Sequence, residues 1–412
     1  MSIGTEFNPI GADFSSVYAQ LAKAREQEPV FRSEEFGCWV VTRYDDIISV
    51  FEDDDCFTVK GVLGGLNTGY APEASRILSG GVDWRDIEHI QNSEGDQHMK
   101  IRLYLQKILS PIRFRKMEPK IREITNGLID RFVNDGRCEF VSQFCYPLPI
   151  YTVFRLVGFH EDEEDMEQLQ RWSDNTFRMW LEPMEADEQA RCAQDAVDFQ
   201  QYMRDKMEER RRSPRDDVMT AFVQAIDSGE YELTDDELII MFTHNIIGAG
   251  HETTKAQLSN LFYQLLKEPS RLQALQEHPE QVEDFVEEII RYDASVLGWY
   301  RIASRDTELA GANIKAGELV YLALGAANHD ASKFKDAESF CPVRVNRKKP
   351  LTFTHGSHFC PGAPLARLEL KIALEELLRR LPNLRLLDPD AEVKYQPSLP
   401  TRVINELHLA WD

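Results

Sequence analysis

Residues 353–362 read Phe-Thr-His-Gly-Ser-His-Phe-Cys-Pro-Gly, FTHGSHFCPG, and the cysteine at 360 decides how the rest of the chain is read. It stands between an aromatic residue and Pro-Gly, directly ahead of PLARLELKIALEELLRRL (364–381), a run with the apolar spacing of a helix. Pro361 and Pro364 fit the first turn of that helix, where a missing N–H costs nothing. Gly362 lets something flat and bulky approach the backbone, whose N–H groups can hydrogen-bond a sulfur. A helix N-terminus also favours the thiolate, the form that binds metals.

The other six cysteines are Cys38, Cys56, Cys138, Cys145, Cys192 and Cys341. The total is odd, they are scattered, and none forms a CxxC pair, which argues against a disulfide framework or a zinc site. They read as buried, small hydrophobes. Cys360 alone asks for another explanation. Zinc takes three or four protein ligands, whereas a haem supplies four nitrogens itself and needs one thiolate. Cysteine ligation pushes electron density toward O–O cleavage. An isolated cysteine at a helix start is usually inert, so the assignment depends on its surroundings.

The net charge of −23 argues against nucleic acid and anionic membrane surfaces as partners, because both call for a basic footprint. The opening MSIGTEFNPIGADF has neither a basic nor an apolar region of a signal peptide. The longest apolar run, LVYLALGAA (319–327), is far short of the ~20 residues of a spanning helix. A soluble, cytoplasmic protein is expected.

Short strand-like runs at EPVFR (28–32) and CWVVTR (38–43) precede a helical YDDIISVFED (44–53) and a glycine-rich loop, GVLGGLNTGYAPE (61–73). Helical patterns dominate from about Asp96. The longest, Thr234 to Pro269, opens on a capping box formed by Thr234 and Glu237 and is expected to kink near Gly248 and Gly250. VEDFVEEIIRYD (282–293) is a further helix, and TELAGANIKAGELVYLALG (307–325) alternates in short strands. The expected architecture is mainly α with small β-sheets, in a single domain spanning 1–412.

Four motifs together are similar to those of the cytochrome P-450 haem-thiolate monooxygenases. FTHGSHFCPGAPLAR resembles that family's haem-binding signature through Phe353, Gly356, His358, Cys360, Gly362, Leu365, Ala366 and Arg367, with Thr354 standing where the family usually has glycine. AGHETT (249–254) resembles its oxygen-activation motif, EIIR (288–291) with Arg344 its E-x-x-R and third partner, and HMKIR (98–102) its H-x-x-x-R. Arg301 in WYRIASRD matches as well.

The resemblance implies a triangular helical prism around a buried haem b. Cys360 would be the axial iron ligand, and Phe353, Gly362, Ala249 and Gly250 would border the haem. His98, Arg102, Arg301 and His358 would hold its propionates, and Glu252 and Thr253 would deliver protons. Glu288, Arg291 and Arg344 would be structural. The expected activity is insertion of one oxygen atom from O2 into a small to medium hydrophobic molecule.

The chain has no GxGxxG fingerprint and no flavin-type module, so a separate ferredoxin and its NAD(P)H-dependent reductase are expected to supply electrons, with no fused reductase. A basic stretch comprising Lys100, Arg102, Lys107, Arg113, Arg115, Lys116, Lys120 and Arg122 is the expected docking face. By position, Val62, Leu63, Leu66, Phe177, Trp180, Leu181, His244, Asn245, Gly248, Val296, Leu297 and Trp299 resemble substrate-contact segments, and the Gly61–Gly69 loop a lid. Two other readings stand beside this one: a haem-thiolate peroxygenase or rearrangement enzyme, against which Glu252 and Thr253 count, and a non-enzymatic haem binder.

Overall fold

The computed structural model describes residues 3–8, 10, 16–62, 69–181, 184–344 and 348–412. Its contacts fall into two compact units. The first comprises Met1–Thr58, Glu118–Leu148 and Thr253–Asp412, and the second Val59–Met117 and Pro149–Glu252. The helices that bear on function are α1 (Tyr44–Glu52), α2 (Gly95–Ile108), α3 (Met166–Leu181), α4 (Ala186–Arg212), α5 (Asp235–Ile240), α6 (Ala249–Lys267), α7 (Val282–Tyr292) and α8 (Ala363–Arg380).

In the first unit, β1 (Val30–Arg32), β2 (Trp39–Val41), β3 (Phe57–Thr58), β4 (Trp299–Ala303) and β5 (Leu319–Leu322) form one sheet in the order β1-β2-β5-β4-β3. Only the β2–β5 pair is parallel, with Val40 opposite Tyr321. Val41, Val320 and Leu322 face Ile47, Val50 and Phe51 of α1 in a dry cluster, as β-branched and aromatic residues on a half-buried sheet should. The strands expected at residues 28–32 and 38–43 are therefore present, shortened by a residue or more at their ends. Among the described residues there are two further sheets, of three and two strands.

In the second unit α3 and α4 pack together around Met179, Cys192, Ala193 and Ala196. The helix expected from Thr234 onward begins as predicted. The Thr234 hydroxyl accepts the Glu237 N–H, and the Glu237 carboxylate accepts the Thr234 N–H. It then departs from α geometry. Met241–Gly248 is a π-helix, and regular α pitch resumes at Ala249. Such segments occur mostly inside α-helices at functional sites. Pro269 does not merely stop the path, for it is the first residue of the next helix, Pro269–Glu277.

The element that bears on Cys360 is a buried charge network in the first unit. Glu288, 5% exposed, receives Arg291 in a bidentate pair at 2.7 and 2.9 Å. Arg344 joins it at 3.0 Å, and the Cys341 N–H donates at 2.8 Å. Burial raises the Glu288 pKa, but the hydrogen bonds from Arg291 and Arg344 outweigh it and hold the carboxyl below its ordinary range.

Arg291 also donates to the carbonyls of Asn328, Ala337 and Ser339. From Asn328 the side chain reaches on: its Nδ2 donates to Thr352 Oγ1 at 2.8 Å, and its Oδ1 accepts the Leu351 N–H at 2.7 Å. The Thr352 hydroxyl donates in turn to the Ile290 carbonyl, back on α7. A continuous hydrogen-bonded path thus ties α7 to the strand of chain that enters the cysteine loop.

Removing one partner of such a buried pair leaves an uncompensated charge and costs about 3–5 kcal/mol. Arg291→Ala is therefore expected to lower denaturant stability by that amount, and Arg291→Lys, which loses the bidentate geometry, by less. Chemical denaturation of the purified proteins checks this, and a loss under ~1 kcal/mol for the alanine variant would contradict it.

Candidate active site

The cysteine loop is fixed by its own backbone. The Cys360 N–H donates to the Phe353 carbonyl at 3.0 Å, closing the loop. Gly356 has φ +69°, a conformation glycine takes without cost, and a Cβ there would lie 3.3 Å from the Phe51 carbonyl oxygen. Thr354 is more revealing. It sits at φ 62°, ψ −166°, which explains why glycine suits this position, since a β-branched residue there is strained. Its hydroxyl donates to the His358 carbonyl at 2.7 Å, which offsets part of that cost. Phe353 is covered by the Arg367 guanidinium, 4.5 Å from the ring centre, and Arg367 pairs with Glu287.

Cys360 is half-buried just before the N-terminus of α8. Cys38, Cys56, Cys138, Cys145 and Cys192 are fully buried, and burial pushes the thiols of Cys38 and Cys138 up to about 12. Burial thus disfavours the thiolate, the ligating form, at those two. The accessible thiol at a helix N-terminus is the donor a haem iron would need. A Cβ on Gly362 would stand 3.8 Å from the sulfur, an ordinary van der Waals contact.

Cationic donors for carboxylates are present in each unit. In the first, Arg301 on β4 is 2% exposed, donates Nη1 to the Tyr300 carbonyl at 2.9 Å, and has its guanidinium 5.0 Å from the Phe51 ring centre. His358, half-buried, ends a short 3₁₀ turn, Gly356–His358. In the second, His98 and Arg102 stand four residues apart on one face of α2, with His98 3% exposed. Each unit thus holds cationic donors of the kind that pair with an acidic group, and the first unit also holds the half-buried thiol, residues whose chemistry fits a haem.

The first turn of α6 carries Ala249, Gly250, Glu252 and Thr253, all half-buried. A Cβ on Gly250 would come within 3.0 Å of Val153 Cγ2, so only glycine fits there without displacement. Between Gly250 and Glu252 stands His251, fully buried, to which the sequence reading gave no role. Its Nδ1 lies 2.8 Å from the Ile247 carbonyl, an acceptor only, so Nδ1 carries a proton. Its Nε2 faces two carboxylate oxygens, Asp174 Oδ1 at 3.4 Å and Glu252 Oε1 at 3.3 Å. A neutral Nε2 would oppose its lone pair to both. Burial disfavours the charged ring, but the hydrogen bonds to Asp174 and Glu252 outweigh it and raise the pKa to about 9. The Asp174 side chain is 35% exposed and that of Glu252 17%, so the imidazolium joins a partly wetted carboxylate to an enclosed one. Nothing in the local sequence of α3 signals Asp174; only the fold brings it to His251.

Other expected contact residues have distinct settings. Phe177 lies 6.3 Å from the His251 ring, and its Cδ2 would be 3.6 Å from a Cβ on Gly248, so Phe177, Gly248 and the motif are together in the second unit. Val62 is buried there as well. In the same unit His244 is buried, its Nδ1 2.9 Å from the Thr243 hydroxyl oxygen. In the first unit Leu297 is 1% exposed and rests against Gly325, and Val296 bridges to Thr401. Trp299 is half-buried at the start of β4. Leu63 and Leu66 lie outside the described residues, as does most of the Gly61–Gly69 loop, and of Trp180 and Leu181 only the backbone, in α3, is described.

The basic stretch is partly consumed by internal pairing. Lys100 pairs with Glu232, Lys107 with Glu230, and Arg122 with Glu118, Glu375 and Glu376. Arg115 and Lys116 remain exposed.

A sequence model of the family described as Cytochrome P450 matches residues 81–384. The chain is 32% identical over 413 residues to the mycinamicin IV hydroxylase/epoxidase of Micromonospora griseorubida, covering 98% of each protein. It is 30% identical over 410 residues to the nocardicin C N-oxygenase of Nocardia uniformis subsp. tsuyamanensis, covering 98% of this chain and 97% of that one. Its fold is similar to the solved structure of cytochrome P450 CREJ in complex with (4-ethylphenyl) dihydrogen phosphate, with a TM-score of 0.88, 30% identity and full coverage of both chains. Among the described residues no helix is long and apolar enough to cross a membrane.

The His251 pairing has a pH signature. A raised folded pKa contributes stability that is fully present below the unfolded value near 6.5 and is lost as pH rises through about 9. The thermal midpoint should therefore fall over that window in the wild type and fall less in His251→Gln. Parallel curves for the two proteins would disprove the ionic pairing.

Proposed function

Because the chain belongs to the cytochrome P450 family and is a monooxygenase, we propose that it inserts one oxygen atom of O2 into a small to medium hydrophobic substrate. In this reading it binds haem b through Cys360 and takes electrons from a separate ferredoxin and NAD(P)H-dependent reductase. The observation that carries the reading is the closed, hydrogen-bonded loop that presents a half-buried thiol at the start of α8. When bound, the thiolate-ligated haem supplies the O2-cleaving chemistry.

The chain's own residues then have separable tasks. Arg301, His358, His98 and Arg102 are assigned to the haem propionates, which they would neutralise by charge-assisted hydrogen bonds. Phe353, Gly362, Ala249 and Gly250 leave room for the flat macrocycle. Glu252 holds a proton source next in sequence to the Thr253 hydroxyl. His251 supplies that carboxylate from Asp174, its Nε2 proton being shared between the two. Phe177 and Val62 make an apolar wall, and Trp180, Gly248, Val296, Leu297 and Trp299 are assigned to the substrate side by position. The names of the two relatives span hydroxylation, epoxidation and N-oxygenation, so this pocket rather than the fold is expected to set the product.

Electron delivery is assigned to the end of α2 and the chain that follows it. Met99, Leu103 and Ile112 are 59%, 57% and 62% exposed, an unusual apolar group beside Arg113, Arg115 and Lys116. An apolar centre with a basic rim suits an acidic ferredoxin.

Three measurements test these assignments. Cys360→Ser is expected to abolish the thiolate-type spectrum of the reduced, CO-bound protein, and its retention would refute the ligand. Thr253→Ala should lower product formed per O2 consumed by ~10-fold or more, in line with the worth of a positioned proton donor; unchanged coupling would refute the relay. Charge reversal at Arg115 and Lys116 should slow ferredoxin-dependent reduction, most steeply at low salt. Equal rates at all ionic strengths would place the docking face elsewhere.

A further inference from the structure

His251 carries a proton between two carboxylates, yet the same three side chains have the composition of a metal site. Among the described residues, Asp174, His251 and Glu252 are the one set of three or more His, Cys, Asp or Glu side chains whose ligand atoms lie within 4.8 Å of one another. All three belong to the second unit, Asp174 on α3, His251 and Glu252 on α6. Neighbouring polar groups have other partners. Asn245 donates Nδ2 to Gln91 Oε1 at 2.9 Å, and His244 Nδ1 lies 2.9 Å from the Thr243 hydroxyl oxygen.

A salt bridge accounts for the charges but not for the spacing. Charge-assisted N–H···O bonds run at about 2.7–2.9 Å, whereas His251 Nε2 stands 3.4 Å from Asp174 Oδ1 and 3.3 Å from Glu252 Oε1. With metal–ligand bonds of about 2.0–2.2 Å, two ligand atoms on one tetrahedral zinc are about 3.3–3.5 Å apart. The two measured separations match the zinc geometry better than the hydrogen bond. The imidazole is in the matching tautomer as well. Its Nδ1–H donates to the Ile247 carbonyl at 2.8 Å, the kind of bond that orients a ligating ring and turns Nε2 to the metal. Phe177, three residues along α3 from Asp174, flanks the ring at 6.3 Å. The His251 side chain is 0% exposed and that of Asp174 35%, so the nitrogen is held in a dry position while the aspartate gives an ion its way in. Two ionised carboxylates around the bare Nε2 lone pair carry two negative charges, of which a proton cancels one and a divalent cation both.

We propose that Asp174, His251 and Glu252 form a binding site for a zinc-like divalent cation, with Nε2 of His251 and one oxygen from each carboxylate as ligands and water in the remaining position. Proton and cation are alternative occupants of one point, so binding releases the Nε2 proton to solvent. The imidazole selects Zn2+ over Mg2+ and Ca2+, which take oxygen ligands. An ion held there replaces the proton that His251 shares between Asp174 and Glu252, and so inhibits turnover. That consequence rests on the relay reading; the site itself does not.

The test separates the two. Holoenzyme freed of loose metal by a chelator is titrated with zinc chloride and followed by calorimetry. The wild type is expected to bind one ion whose affinity falls ~10-fold or more in His251→Gln and in Asp174→Ala, at least the loss seen when the surroundings of a bound metal are altered. Magnesium chloride should not compete. Asp174 is partly exposed, so Asp174→Ala reports even where His251→Gln fails to fold. No zinc bound, an affinity that moves by less than about threefold in Asp174→Ala, or equal competition by magnesium overturns the proposal. O2 uptake with a surrogate ferredoxin and its reductase is then measured across the same titration. A fall that tracks zinc occupancy supports site and relay together, whereas full occupancy with unaltered uptake upholds the site and refutes the relay. A wild-type preparation without the thiolate-type CO spectrum fails the monooxygenase reading instead, and the zinc titration still decides the site.

Discussion

One carboxylate out of reach of water, Glu288, is the constraint on which the cysteine loop rests. It accepts from Arg291, Arg344 and the Cys341 backbone at once, and Arg291 uses its remaining donors on three carbonyls of the stretch 328–339. A charge set this dry tolerates only one arrangement, because any partner that moves leaves another exposed to a low dielectric. That rigidity passes through Asn328 and Thr352 to Leu351, and from there the chain enters the turn that closes on Cys360. The sulfur is held by a scaffold, not by its own side-chain torsion.

Buried charge is used differently in the second unit. His251 and His89 are both enclosed, yet their partners drive them apart. Two carboxylates keep His251 protonated to about 9, while burial, with His244 nearby, leaves His89 neutral down to about 3. His244, enclosed beside Trp84, is also lowered, to about 4. The second unit thus sets one imidazolium that can exchange a proton, on α6, and two imidazoles that stay neutral, His244 in the π segment and His89 outside any helix. The first lies beside the Glu252 carboxylate, and neutrality at the other two avoids the cost of an enclosed, uncompensated cation.

Much of this was legible in the sequence where the chemistry is local. Pro361, Gly362 and Cys360 announce a helix N-terminus with an accessible thiol, Thr234 and Glu237 announce a helix start, and the short strands follow from β-branched runs. Features made by tertiary pairing were not legible. Asp174 carries no local signal, and its role exists only because α3 lies against the motif. Lys100, Lys107 and Arg122 look like part of one basic face until folding hands them to acids far along the chain. Thr354 is the instructive middle case. The sequence shows a departure from glycine, but only the backbone angle shows why glycine suits the position and how a hydroxyl compensates.

The π segment from Met241 to Gly248 sets the rotational phase of everything before it. A π turn holds one residue more than an α turn, so deleting a single residue there would restore ordinary pitch, and each preceding side chain would swing by about 100° around the axis. His244 and Asn245 would then be turned relative to Ala249 and Glu252, while the α5 cap and α6 remained intact as helices. Length, rather than side-chain identity, is therefore the quantity that natural variation in this stretch must conserve, and a one-residue indel would rewrite the pocket more thoroughly than most substitutions inside it.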